Sequence, residues 1–435
     1  MSIVFDDIQH DIANKGDRLC AIIYANTRPR IAGYIPLAKA ISDHGHLCFL
    51  VHPSDSPLSP AEIEGYEQLN IGALPTHQLA RLKNVDVFFS PEVVTNVAPR
   101  NSVTVGLHHS LNDQALGWNF AFAIRNNPLI IRSLDYYVAA EKQKKAHWAV
   151  KNYERFVQGI YPPHFLKDRR EHLDIVPGGY PKIDYLERMF EGEGPADYIS
   201  YCPTQSNQAF SEVIHHGARI IRTLLATFPH FKIAFRPYPS KDIEICRDIC
   251  REFRENPRFF FDDSVTGIAY QKKTAVMVTD GSSAALTFSL SSGRPSVLVK
   301  MSDENERGKR RLMRVFGLSS VGETEMVAAI SHCLDNRLFW HKKIMSERQE
   351  YLYNPGLASV YLASMLPVFA RRESHPDWLS IPRTPWIGSE QVEVAKHHLE
   401  LLHRLSGHGE KPLVTRMYRE IDAYVQSIHC GKAEN

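Results

Sequence analysis

The sequence predicts an α/β protein with two Rossmann-type doubly wound lobes facing a cleft, followed by a helical C-terminal tail. Three observations predict it. The chain has 435 residues, more than one ordinary core organises. Short apolar runs alternate with helically spaced segments in both halves, the pattern of parallel sheet covered by helices. A stretch rich in Gly, Glu and Pro, FEGEGPADY (Phe190 to Tyr198), separates the two series. The expected division is residues 1–190 for a first Rossmann-like lobe, 191–370 for a second and 371–435 for the helical extension.

In the first series RLCAIIYA (Arg18 to Ala25) reads as a strand and IPLAKAISDHG (Ile35 to Gly45) as a helix. HLCFLVHP, VDVFFSP, SVTVGLHHS, LDYYVAAE and LDIVPGGYP supply further strands. In the second series YISYCPTQSN opens with a strand, and SEVIHHGARIIRTLLATFP (Ser211 to Pro229) carries apolar residues at helical spacing. FKIAFRPYP, RFFFDD, AVMVTDGSS and PSVLVK are strands, and IEICRDICREFREN is a helix. From about Val327 the chain is mostly helical, with an irregular Pro/Trp-rich stretch from Ser374 to Glu390 and two amphipathic segments beyond it.

Composition narrows the function. A hydrophobic fraction of 43%, a charged fraction of 23% and a net charge of +2 describe a globular protein with no demand for nucleic acid. The basic run ERGKRRLMR (Glu306 to Arg314) reads first as a solvated helix face and second as an anion site. The N-terminus lacks a signal-peptide core and no apolar stretch is long enough to span a bilayer, so a cytoplasmic protein is expected. The seven Cys are dispersed without a CxxC pair, which argues for reduced, structural thiols.

Candidate functional residues fall at strand ends, where open α/β sheets bind ligands. VTDGSS places Asp280, Gly281, Ser282 and Ser283 between a strand and a helix. Gly281 permits unusual backbone angles, and the serines either cap the helix or hold phosphate oxygens beside its free N–H groups. FRPYPS offers Arg236 and Tyr238 in a loop stiffened by prolines, where a guanidinium suits phosphate or carboxylate. YCPTQSN offers Thr204. GLHHSLND places His108 and His109 after a strand, one of them suited to deprotonate a hydroxyl near neutral pH with Asp113 to orient it. No Asp-x-Asp stretch suggests a metal site; FDD (Phe261 to Asp263) is the nearest, and no metal or other cofactor is expected.

VPGGYPKIDYL, YCPTQSN, FRPYPS and VTDGSSAALTFSLSSGRPSVLV occur together in this order. Over roughly residues 100–300 the chain resembles the CDP-glycerol glycerophosphotransferase family of teichoic-acid and capsule polymer enzymes. That family carries Gly-x-Pro-Arg/Lys-x-Asp, Tyr-Ala-Pro-Thr, Arg-x-His-Pro and Thr-Asp-x-Ser-Ser elements. The resemblance implies a GT-B-type fold and transfer of a glycerol-phosphate or related polyol-phosphate group from a CDP-activated donor. The acceptor it implies is a hydroxyl of a glycan or lipid-linked polymer, with peripheral contact at the inner membrane. It implies that Asp280, Ser282, Ser283 and Arg236 lie at the donor pyrophosphate, that His109 or else His108 is the general base, and that Thr204 and Gly179 line the cleft.

Two departures keep other readings open. Tyr238 stands where the family has a histidine, and the family's Trp-His-Gly loop is HHS here. A glycosyltransferase using a CMP-Kdo or UDP-sugar donor in capsule or lipopolysaccharide synthesis shares the same plan. So do a nucleotide-sugar epimerase and a non-catalytic polysaccharide-assembly scaffold.

Overall fold

The computed structural model describes residues 5–25, 31–52, 68–90, 98–107, 134–140, 142, 170–190, 196–206, 211–238, 246–264, 268–301 and 316–382. The first lobe contains α1 (Phe5–Ala13), β1 (Cys20–Tyr24), α2 (Ile35–Asp43), β2 (Leu47–His52), β3 (Asn70–Ala73) and α3 (Thr76–Leu79). It continues with β4 (Val87–Ser90), β5 (Val103–Gly106), β6 (Tyr136–Val138), β7 (His172–Val176) and α4 (Pro181–Phe190). The second lobe contains β8 (Tyr198–Tyr201), α5 (Val213–Thr227), β9 (Lys232–Phe235), α6 (Arg247–Phe253), β10 (Phe259–Phe261) and α7 (Ile268–Gln271). It continues with β11 (Thr274–Thr279), α8 (Ala284–Ser292), β12 (Ser296–Lys300), β13 (Gly317–Val321), α9 (Gly322–Asp335) and α10 (Arg337–Tyr351). The chain then forms α11 (Ala358–Ser364), α12 (Leu366–Ala370) and β14 (Leu379–Pro382).

The central strands are apolar runs without alternation, because helices cover both faces of a parallel sheet. β1, β2, β11 and β12 are buried along their whole length. The first sheet has the order β14-β7-β6-β5-β4-β1-β2-β3 and the second the order β10-β9-β8-β11-β12-β13. All pairings are parallel except that of β14 with β7. In the second sheet the chain starts at β8, moves outward through β9 and β10, then returns to the other side of β8 as β11. The order therefore reverses between β8 and β11, which opens a crevice at their carboxyl ends.

The strands expected from sequence are present, and β3, β13 and α4 add to them. The chain after α10 departs from the expected division. Leu362, Leu366, Phe369 and Trp378 belong to the same core as Ile23, Phe89 and Val105 of the first lobe. Phe369 lies 4.8 Å from Tyr136 and 5.4 Å from Trp378, ring to ring. β14 then completes the first sheet, so residues 358–382 return to the lobe where the chain began. The pull is burial: α11 and α12 hide apolar side chains that the first sheet is ready to cover.

The crossing is fastened by polar contacts. Arg348 is buried and makes a bidentate pair with Glu187, both contacts at 2.7 Å. Asp184 accepts the Ser359 amide at 2.7 Å and the Ala358 amide at 3.4 Å, capping the start of α11 from α4. Burial pushes the Asp184 carboxyl up to about 6. Gly179 has φ +87°, and a β-carbon there would stand 2.4 Å from the Tyr353 carbonyl oxygen. Among the described residues no helix is long and apolar enough to cross a membrane.

Candidate functional site

β11 ends in Thr279-Asp280-Gly281-Ser282-Ser283, and each residue has a separate task. The Thr279 hydroxyl oxygen accepts the amides of Gly281 at 3.2 Å and Ser282 at 3.0 Å, folding the chain sharply off the strand. Gly281 turns at φ +125°, a backbone angle that side chains disfavour. The Ser282 hydroxyl oxygen accepts the Ala284 amide at 3.3 Å and starts α8. Ser283 is the residue before α8; its side chain makes no hydrogen bond among the described residues. Both serines are half-buried.

Asp280 does not face outward. It is fully buried, and its carboxylate accepts the Thr204 amide at 2.6 Å and the Glu212 amide at 2.8 Å. The Ser211 hydroxyl donates to it at 3.4 Å. Burial raises its pKa, and the two amides oppose that rise. Asp280 thus ties the loop after β8 and the start of α5 to the end of β11, across the crevice where the strand order reverses. Thr204 takes part through its backbone.

Arg236 stands at the end of β9 with its side chain 12% exposed. Its guanidinium donates to the Ser264 carbonyl at 2.7 Å and lies 3.1 Å from Asp262. The FDD stretch thus supplies the counter-ion of Arg236, and among the described residues no group of three or more His, Cys, Asp or Glu could hold a metal. Tyr238, two residues on, is 42% exposed. Gly179 is buried against Tyr353 and Ala358 rather than lining an open cleft. Arg294 donates to the carbonyls of Lys272 at 2.7 Å and Thr274 at 2.9 Å, at the amino end of β11 and away from Asp280. His108, His109 and Asp113 lie outside the described residues, as do residues 306–314 and the segments beyond residue 382.

Sequence reasoning missed a buried polar group under this loop. Lys300 ends β12 at 8% exposure and its charge acts on Asp280. The Glu212 carboxylate accepts the Met301 amide at 3.3 Å. The Tyr201 hydroxyl is buried with no hydrogen-bond partner among the described residues, and burial raises its pKa far above the ordinary tyrosine value. A signal was available for Lys300, since a cation closing the apolar run PSVLVK needs an anion nearby.

The arrangement is suited to anions. The α8 amino end, a sharp glycine turn and two half-buried serines face the carboxyl edge of a parallel sheet, and the local carboxylate is turned inward.

No family model and no curated protein matches the sequence. Solved structures match the fold. S. aureus MnaA, in a structure with UDP, superposes with TM-score 0.55 at 12% identity, covering 85% of this chain and 100% of that one. A variant of the wall teichoic acid polymerase TagF, soaked with CDPG, gives TM-score 0.52 at 10% identity, covering 84% and 93%. UDP-GlcNAc 2-epimerase from Neisseria meningitidis, bound to UDP-GlcNAc, gives TM-score 0.53 at 12% identity, covering 80% and 100%. The chain therefore has the two-lobed α/β architecture of GT-B proteins.

Proposed function

We propose that this chain is an enzyme that binds a nucleotide-activated donor over Gly281, Ser282 and Ser283, at the carboxyl edge of its second sheet. The observation that carries this reading is the inward-facing Asp280. With its carboxylate spent on Thr204 and Glu212, the turn above it offers two serine hydroxyls and the positive end of the α8 dipole to a diphosphate without a competing negative charge. The soaked TagF variant and the UDP-bound neighbours support a nucleotide ligand for this fold.

In the finer reading the donor is CDP-glycerol or a related CDP-polyol. His109, or His108 in its place, takes the proton of an acceptor hydroxyl on a glycan or lipid-linked polymer. The acceptor oxygen forms a bond to the polyol phosphorus as the bond from that phosphorus to the bridging oxygen breaks, and CMP leaves. The Ser282 and Ser283 hydroxyls and the positive end of the α8 dipole hold the charge that develops on the leaving phosphate. The step as proposed uses no metal, so turnover is expected to survive chelator. The order of the four sequence motifs supports this version. The epimerase neighbour favours a second reading, chemistry on a UDP-sugar in the same crevice.

A thermal-shift panel of CDP-glycerol, CDP-ribitol, CMP-Kdo, UDP-GlcNAc and the free nucleotides separates these readings. Stabilisation by CDP-polyols is the expected result. Stabilisation by UDP-GlcNAc alone moves the chain to the second reading, and no response to any nucleotide overturns both.

A further inference from the structure

A cationic pocket lies at the amino edge of the first sheet. It has a volume of about 590 Å³ and is lined by residues 80–85 together with Arg100 and Asn101. These residues lead into β4 and β5, so the pocket opens at the amino ends of two neighbouring strands of the first sheet. The candidate donor site lies at the carboxyl edge of the second sheet.

Arg81, Lys83 and Arg100 all line the pocket and all are exposed. Among the described residues none of their side chains makes a hydrogen bond or an ion pair; Arg81 only rests over the Phe5 ring, 5.6 Å from its centroid. The nearby carboxylate is already committed. Asp86 pairs with Lys15 and accepts the Cys20 amide at 2.7 Å. Two backbone carbonyls on the rim are also taken, that of Asn84 by Lys15 at 3.1 Å and that of Asn101 by Arg372 at 3.3 Å. Asn84 and Asn101 hold these turns in the left-handed region, with φ of 60° and 68°. Three like charges thus share one concavity beside a carboxylate and two carbonyls that are already engaged, an arrangement that a polyanion relieves.

We propose that this pocket binds a phosphate-bearing ligand carrying at least two negative charges, at a site separate from the donor crevice. Two arginines and a lysine offer forked and point donors to the oxygens of a diphosphate or to closely spaced phosphodiesters. The ligand is either a free phosphorylated compound or the headgroups of an anionic lipid surface.

The test is titration calorimetry of the full chain with inorganic pyrophosphate, repeated on the triple variant Arg81→Gln, Lys83→Gln, Arg100→Gln. Binding by the wild type, weakened roughly tenfold or more in the triple variant, is expected from the loss of three charge-assisted contacts. The exchanged variant Lys83→Arg, Arg100→Lys keeps the charges and should keep most of the affinity. Unfolding midpoints confirm that the variants fold, which their exposed positions favour. Sedimentation with vesicles of phosphatidylcholine, with and without phosphatidylglycerol, identifies the source. Binding to anionic vesicles that the triple variant loses assigns lipid headgroups; pyrophosphate binding without vesicle binding assigns a free ligand. The inference is overturned if the wild type binds neither pyrophosphate nor anionic vesicles, or if the triple variant binds both as the wild type does. Nucleotide affinity, measured in parallel, should be the same in wild type and triple variant, so the two sites fail or stand independently.

Discussion

The Asp280 carboxylate receives the Thr204 amide at 2.6 Å, joining the ends of β11 and β8 where the strand order of the second sheet reverses. This contact, with that of Glu212, sets the loop positions around the crevice. An acid that the sequence suggests as a ligand contact is instead the post on which the contact loops hang.

Asp280→Ala should therefore damage the fold before it damages chemistry. It leaves two amides without their acceptor, one of them buried, at about 2–5 kcal/mol. Urea unfolding should show this loss in the absence of nucleotide. A variant as stable as the wild type would contradict the role given to Asp280.

Ser283→Ala should do the reverse. Its side chain makes no hydrogen bond among the described residues, so stability should stay within about 0.5 kcal/mol. Nucleotide affinity should fall by roughly 10- to 100-fold if the hydroxyl meets a phosphate oxygen. Equilibrium binding beside thermal unfolding reads both quantities.

Asp184 predicts a pH dependence. Burial holds its carboxyl near 6 in the folded chain, above its value of 3.8 without burial. The folded state therefore binds the proton more tightly. Its stabilising share is full below about pH 4, falls as pH rises and is gone above about pH 6. Asp184→Asn keeps an acceptor for the Ser359 amide and removes the titration. It should flatten the stability profile across that window and match or exceed the wild type at pH 8, measured by denaturant unfolding. A profile as steep as the wild type's would remove Asp184 as its cause.

Gly179→Ala should be costly out of proportion to one methyl group. The backbone is left-handed there, and the Tyr353 carbonyl stands 2.4 Å from the new carbon. Strain of about 1–3 kcal/mol from the backbone alone is expected, before the steric displacement of residues 353–358. The measurement is the unfolding midpoint of the variant against Gly178→Ala, whose nearest neighbours are the buried side chains of Leu362 and Val138 and whose backbone is not left-handed, so it lacks the backbone part of the cost.

The sheet strands were legible because buried parallel strands write themselves as unbroken apolar runs, as in CAIIY and TAVMVT. β13 was not legible because an edge strand reading GLSSV lacks that signal. β14 was hidden for a different reason: a four-residue strand beside Trp378 takes its identity from a partner about two hundred residues earlier. The same limit applies to the site. The turn at Gly281 and the serines follow from local sequence, while the inward turn of Asp280 depends on Thr204 and Glu212, far away in the chain. Arg236 was legible as a strand-end cation, but its tie to Asp262 across β9 and β10 was not.

The most direct test of the central claim is calorimetric titration of CDP and UDP into the wild type and into the double variant Ser282→Ala, Ser283→Ala. The account predicts binding of at least one nucleotide by the wild type, weakened by roughly 100-fold or more in the double variant, with both proteins folded. Equal binding by the two proteins, or none by the wild type, would contradict a phosphate site at the end of β11.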